Sequence, residues 1–140
     1  MKQVAVGILL RDGRVLACQR KRDARYPLKW EFPGGKMENG ETAAEAVVRE
    51  LHEELEITVT VERELHQQEW EYSEGRDDSK FRVFYFLIGP FTGTPVNRAF
   101  EQIRWVTPQE LTTMDILEGN REIVEILVGN QKNKKAERIV

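Results

Sequence analysis

The chain has 140 residues, 40% of them hydrophobic, and a formal net charge of −3. That length makes one domain with a core of its own, and no stretch is apolar enough to span a membrane. The acidic balance excludes electrostatic capture of long nucleic acid, and the single cysteine, Cys18, excludes an internal disulfide and fits a reducing, cytoplasmic setting.

Strands are predicted over Lys2 to Leu10, apolar enough to be central, and over Arg14 to Arg20, joined by an Asp12-Gly13 turn. The first of these has a faint look of a secretion signal, and Val15 to Cys18 of a lipoprotein cleavage site. Arg11 to Arg14 interrupts the apolar run, which is too short for a signal core. A loop is predicted from Lys21 to Gly40, with Pro33, Gly34 and Gly35 as a breaker cluster. Thr42 with Glu45 forms a capping box that opens a helix from Thr42 to Leu55. Strand character follows over Thr58 to Val61, Leu65 to Tyr72 and Phe81 to Ile88, with a polar turn from Ser73 to Ser79. A strand over Ile103 to Val106 leads to a second capping box, Thr107 with Glu110 and Pro108 at the first helical position. A last helix from Asn120 to Val128 is expected to stop at Gly129. Strands mixed with helices in this way imply a sheet between helical layers. Residues 1–130 are read as the single domain and 131–140 as a flexible basic tail with Lys132, Lys134, Lys135 and Arg138.

The central helix carries the chemistry. Glu50, Glu53 and Glu54 stand at i, i+3 and i+4 and share one face. Like charges so close repel, and a shared cation reverses the sign of that interaction. Oxygen ligands alone suit a hard ion, Mg²⁺ or Mn²⁺. Ala44, Val47, Val48, Leu51 and Leu55 form a neighbouring apolar face that docks on a sheet. Arg49 beside Glu53 is placed to orient a carboxylate. The glycine loop ahead of the helix adds a backbone carbonyl, at Gly35, as a further ligand and lets a phosphate approach the main chain. A solvated acidic face is the ordinary alternative for such a run.

Gly35, Glu41, Arg49, Glu50, Leu51, Glu53, Glu54 and Ile57 together resemble the Nudix box, the signature of hydrolases acting on nucleoside diphosphates linked to another group. The Lys29 to Lys36 run is similar to that of the MutT-type subgroup. The resemblance implies an α/β fold, the Nudix α/β/α sandwich with a mixed central sheet. It assigns Glu50, Glu53, Glu54 and the Gly35 carbonyl to metal, and the general base to Glu53 or to a residue from a distant loop. Glu101, just ahead of a predicted strand, is the distant candidate, for base or metal ligand; a solvated loop carboxylate is its alternative. Substrate contacts fall to Arg20, Phe32, Lys36 and Asn120. Arg20 is otherwise a strand-end cation, Phe32 a packing residue and Asn120 a helix N-cap. One position departs from the pattern: Glu56 stands where the box has glycine, at about 1 kcal/mol if the left-handed backbone is kept. His52 and His66 have no ligand-spaced partners, and Phe84 to Phe86 reads as strand core, with Phe84 or Phe86 able to face a base.

The reading is a Mg²⁺-dependent pyrophosphohydrolase that converts nucleoside triphosphates to monophosphate and pyrophosphate, with Mn²⁺ able to substitute. Oxidised purines such as 8-oxo-dGTP lead as substrates and CTP-like pyrimidines follow. Hydrolysis of another linked diphosphate, such as ADP-ribose or a dinucleoside polyphosphate, is the first alternative. A nucleotide-sensing module without turnover is the second, and a calcium-stabilised structural domain the third. A nucleotide is the expected partner, with no membrane and no long nucleic acid, and the chain is expected to be a monomer or homodimer.

Overall fold

The computed structural model describes residues 1–73, 75 and 79–139, with side chains described as far as Lys132. Among the described residues eight strands form two sheets. The first contains β1 (Lys2–Ile8), β5 (Gly34–Lys36), β6 (Val61–Glu71) and β7 (Lys80–Ile88) in the order β5-β1-β7-β6. It is mixed: β1 runs parallel to β7, while β5 and β6 are antiparallel to their neighbours. The apolar β1 is central, as its composition implies. In the second sheet β3 (Arg14–Gln19) pairs with β2 (Leu10–Arg11), β4 (Trp30–Glu31) and β8 (Gln102–Val106). Asp12 and Gly13 both take positive φ in the turn between β2 and β3, as the hairpin chemistry requires.

Side-chain alternation divides the core in two. Ala5 and Phe86 face helix α1 (Ala43–Leu55), whose Val47, Leu51 and Leu55 are sealed from solvent. Val6 and Tyr85 face the other way, toward Ile123, Val124 and Leu127 of helix α3 (Arg121–Ile139). The result is a sheet between helical layers. Among the described residues no helix is long and apolar enough to cross a membrane.

Four expectations need correction. The loop from Lys21 to Gly40 contains two short strands, β4 and β5, because β3 and β1 offer free edges that pair with them. Thr58 to Val61 and Leu65 to Tyr72 are not separate strands. One strand runs from Val61 to Glu71, with register shifts between Val61 and Arg63 and between Glu64 and His66 that a period-two reading takes for a gap. The C-terminal helix does not stop at Gly129 but continues to Ile139. A single interior glycine costs only about 1 kcal/mol relative to alanine, too little to end a helix. Phe84 and Phe86 pack toward α1, leaving Tyr85 on the opposite face. The second capping box opens the short helix α2 (Pro108–Leu111), as read. The expected turn over 73–79 and the basic tail at 131–140 fall partly outside the described residues.

Candidate active site

Helix α1 is fixed at both ends. Thr42 Oγ1 accepts from the Glu45 amide and the Glu45 carboxylate accepts from the Thr42 amide, both at 3.1 Å. At the far end Glu56 takes φ 55° and ψ 36°, the left-handed cap in which the Nudix pattern has glycine. Its carboxylate pairs with the Arg98 guanidinium.

Between these ends Arg49 organises the acidic face. Its Nε and Nη2 donate to the two oxygens of Glu41 at 2.8 and 3.0 Å. Nη1 donates to Glu50 at 3.0 Å and reaches Glu53 at 3.4 Å, and Nη2 also donates to the Lys36 carbonyl at 3.0 Å. One guanidinium thus ties the helix to the glycine strand β5. The Arg49 hydrogen bonds hold the Glu41 carboxyl down at about 2. Burial pushes Glu50 upward, against the opposing effect of Arg49.

Glu54 differs from its neighbours. It is half-buried, accepts a hydrogen bond from the Gly34 amide at 2.9 Å, and has no ion-pair partner among the described residues. Burial and then the charge of Glu50 push its carboxyl up to about 8. Glu50 rests on the glycine strand: a Cβ at Gly35 would lie 2.5 Å from its Cδ and 2.6 Å from an oxygen. Any side chain at Gly35 therefore displaces the Glu50 carboxylate.

Among the described residues no group of three or more His, Cys, Asp or Glu side chains already converges as a ligand cage. Arg49 Nη1 engages both Glu50 and Glu53, at 3.0 and 3.4 Å. The donor set still fits a hard divalent cation. It offers oxygen ligands only, Glu54 lacks a cation of its own, and Gly35 lets Glu50 lie against the backbone.

Glu54, Gly34, Gly35 and Lys36 open into a cleft of about 320 Å³. Arg20, Phe32 and Asn120 line the same cleft, so the structure gathers these predicted substrate residues with the glycine strand. Arg20 pairs with the Glu31 carboxylate at 3.2 Å, and burial, partly offset by Arg20, pushes Glu31 upward. Phe32 is 4% exposed and belongs to the core, so it packs and lines the cleft at once. The Asn120 carbonyl oxygen accepts from the Tyr85 hydroxyl at 2.7 Å. The structure does not bring Glu101 into this cleft: its carboxylate takes a hydrogen bond from Arg22 at 2.9 Å. Glu53 lies on the exposed side of the helix face.

Sequence reasoning missed the aromatic wall. Tyr26 and Tyr72 have ring centroids 4.9 Å apart, and Tyr72 meets Trp70 and Phe81 edge-on at 6.2 and 5.9 Å. Alternation was the available signal: Gln68 and Trp70 share one face of β6, with Tyr72 just beyond its end, and Phe81, Val83 and Tyr85 share the same side of β7. Tyr26, from the loop, carried no such signal; nor did Glu31.

A protein-family model described as the NUDIX domain matches residues 1–127. The chain is 32% identical to the 8-oxo-dGTP diphosphatase of Escherichia coli strain K12, over 87% of this chain and 92% of that protein. It is 29% identical to the CTP pyrophosphohydrolase of the same strain, over 98% of each chain. The crystal structure of a MutT NUDIX hydrolase from Burkholderia pseudomallei superposes with a TM-score of 0.78 at 26% identity, covering 89% of this chain and 95% of that one.

Proposed function

Because the chain belongs to the NUDIX domain family, we propose that it is a Mg²⁺-dependent pyrophosphohydrolase of nucleoside triphosphates, acting in the cytoplasm on oxidised purine or CTP-like nucleotides. Water opens the anhydride between the α- and β-phosphoryl groups, giving nucleoside monophosphate and pyrophosphate. One observation carries the reading: Glu54, a half-buried carboxylate with no cation of its own among the described residues, faces a cleft lined by aromatic rings. Two relatives with 8-oxo-dGTP diphosphatase and CTP pyrophosphohydrolase for names support the same substrate class.

Glu50, Glu53, Glu54 and the Gly35 carbonyl are the proposed holders of the metal, with Glu101 the more distant candidate. A bound divalent cation supplies charge neutralisation for the polyphosphate and acidifies a bound water. The chain's own residues do the rest. Arg49 sets the direction of Glu50 and anchors the helix to the Lys36 carbonyl. The Gly34 amide holds Glu54 toward the cleft. Lys36 and Arg20, both on the cleft wall, meet phosphate charge. Glu53, on the solvent side of the helix face, accepts the proton of the attacking water. A cleft of about 320 Å³ fits a nucleobase against the Tyr72 and Tyr26 rings.

The test is product analysis with Mg²⁺ and a panel of normal and oxidised nucleoside triphosphates. Pyrophosphate rather than orthophosphate is the expected product. Glu53→Gln should lower turnover by about 10²- to 10⁴-fold with an unchanged circular dichroism spectrum. Near-normal turnover in that variant would remove Glu53 from the chemistry.

A further inference from the structure

The turn that leads into helix α1 carries two residues with no part in the cleft, Asn39 and Gly40. Both are exposed. The turn is closed by the Glu41 amide, which donates to the Glu38 carbonyl at 3.1 Å. Gly40 takes φ 81° within it. Among the described residues no hydrogen bond engages the Asn39 side chain or the Gly40 amide. A Cβ at position 40 would meet nothing within 4 Å, so no neighbour shields the Gly40 nitrogen. Glycine adds no side chain of its own there, and its backbone reaches conformations closed to other residues.

The chain has four other asparagines, and none combines these features. Asn97 is bound through both halves of its amide. Its Oδ1 accepts from the Ala99 and Phe100 amides at 3.2 and 2.9 Å, and its Nδ2 donates to the Phe100 carbonyl at 2.8 Å. Asn120 is buried. Asn130 and Asn133 lie in helix α3, where the following amide is committed to the helical ladder. Arginine, glutamine or lysine follows each of the four, and only Asn39 is followed by glycine.

We propose that Asn39 is a site of spontaneous modification, where the side-chain amide is exchanged for a carboxylate and the change loosens the Arg49 anchor. The Gly40 nitrogen attacks Asn39 Cγ and a C–N bond forms. The Cγ–Nδ2 bond breaks, and ammonia leaves with the proton of the Gly40 amide. Water then opens the cyclic imide. Opening at Cγ gives aspartate; opening at the main-chain carbonyl gives isoaspartate, whose backbone runs through Cβ and Cγ. Water is the only co-reactant. The isoaspartyl chain has an extra backbone carbon between the Glu38 carbonyl and the Glu41 amide, the two groups that close the turn. The Glu38 amide also donates to the Glu41 carboxylate at 2.9 Å, and that carboxylate takes Nε and Nη2 of Arg49. A lengthened turn therefore shifts Glu41, and with it the guanidinium that sets Glu50 and meets the Lys36 carbonyl. The modification stands on the turn alone; its effect on turnover rests on the hydrolase reading.

The test ages the unaltered protein in mildly alkaline, ¹⁸O-enriched water and then digests it with trypsin in ordinary water. The peptide from Met37 to Arg49 holds Asn39 and no other asparagine. Its amide should give way to an acid carrying ¹⁸O, while the peptides with Asn97 and Asn120 keep their amides. An Asn39 amide retained as fully as that of Asn97 overturns the proposal. Converted chains separate from the rest on an anion exchanger by their added charge. They should turn over triphosphate about tenfold more slowly than fresh protein, the scale of one charged hydrogen bond. The Arg49 Nε–H signal in ¹⁵N spectra should move with conversion, a readout independent of turnover. Asn39→Asp adds the charge without lengthening the chain and should keep the fresh turnover and the fresh Arg49 signal. Asn39→Ser should keep both throughout the ageing. An unmoved Arg49 signal in fully converted chains overturns the link to the anchor. No turnover by fresh protein overturns the hydrolase reading alone, since the mass gain and the Arg49 signal still decide the proposal.

Discussion

Glu54 concentrates the electrostatic tension of the site. In the unfolded chain its carboxyl titrates at the ordinary 4.5, and in the folded chain at about 8. Between those values the folded protein holds a proton that the unfolded chain has released, so stability falls as pH rises. The contribution of the neutral carboxyl is fully present below pH 4.5 and lost as the pH climbs toward 8. In metal-free buffer the melting temperature should therefore decline from about pH 5 to pH 8, and Glu54→Gln should flatten that decline. An equally steep decline in the variant would place the titration elsewhere. Glu41 has the opposite sign: Arg49 holds it down at about 2, so its contribution is lost only in acid. The spacing of Glu50, Glu53 and Glu54 was legible as a shared face. The difference among them was not, because it comes from Gly34 and Gly35, fifteen to twenty residues away in the chain. Glu31 was invisible for the same reason, being buried by contacts that no local pattern encodes.

At the scale of elements, helix α1 follows its sequence closely. The capping box starts it, and Val47, Leu51 and Leu55 bury the face that the spacing assigns to the sheet. Its end holds an unfavourable choice, since Glu56 occupies a left-handed conformation at φ 55°. Glycine there relieves about 1 kcal/mol of backbone cost. The Arg98 pair that is lost in exchange is solvent-exposed and weak. Glu56→Gly should raise the melting temperature by about 3 °C, measured by calorimetry. A fall would show that Arg98 outweighs the backbone. The short strands β4 and β5 were hidden because two and three residues carry no periodicity, and Pro33-Gly34-Gly35 reads locally as a break. Only the free edges of β3 and β1 make them strands. Along β7 the alternation was readable, but which phase faced the cleft depended on where α1 docked, and that placed Tyr85 rather than Phe84 or Phe86 on the cleft side.

For the molecule as a whole, the cleft exists only once the chain is folded. β5 brings Gly34 and Lys36, the loop before β4 brings Arg20 and Tyr26, β6 and β7 bring the aromatic face, and the turn before α3 brings Asn120. The box residues were legible as one acidic face because they lie within 23 consecutive positions, Gly35 to Ile57. The wall of the cleft was not, because it draws on positions from Arg20 to Asn120. The proposed hydrolysis requires the α1 ridge to hold a divalent cation for attack on a polyphosphate. Titration calorimetry with Mg²⁺, with and without a non-hydrolysable nucleoside triphosphate analogue, addresses it most directly. Saturable uptake that tightens with nucleotide and is lost in a Glu50→Gln, Glu54→Gln double variant is expected. Absence of uptake by the folded, unaltered protein under both conditions would contradict it.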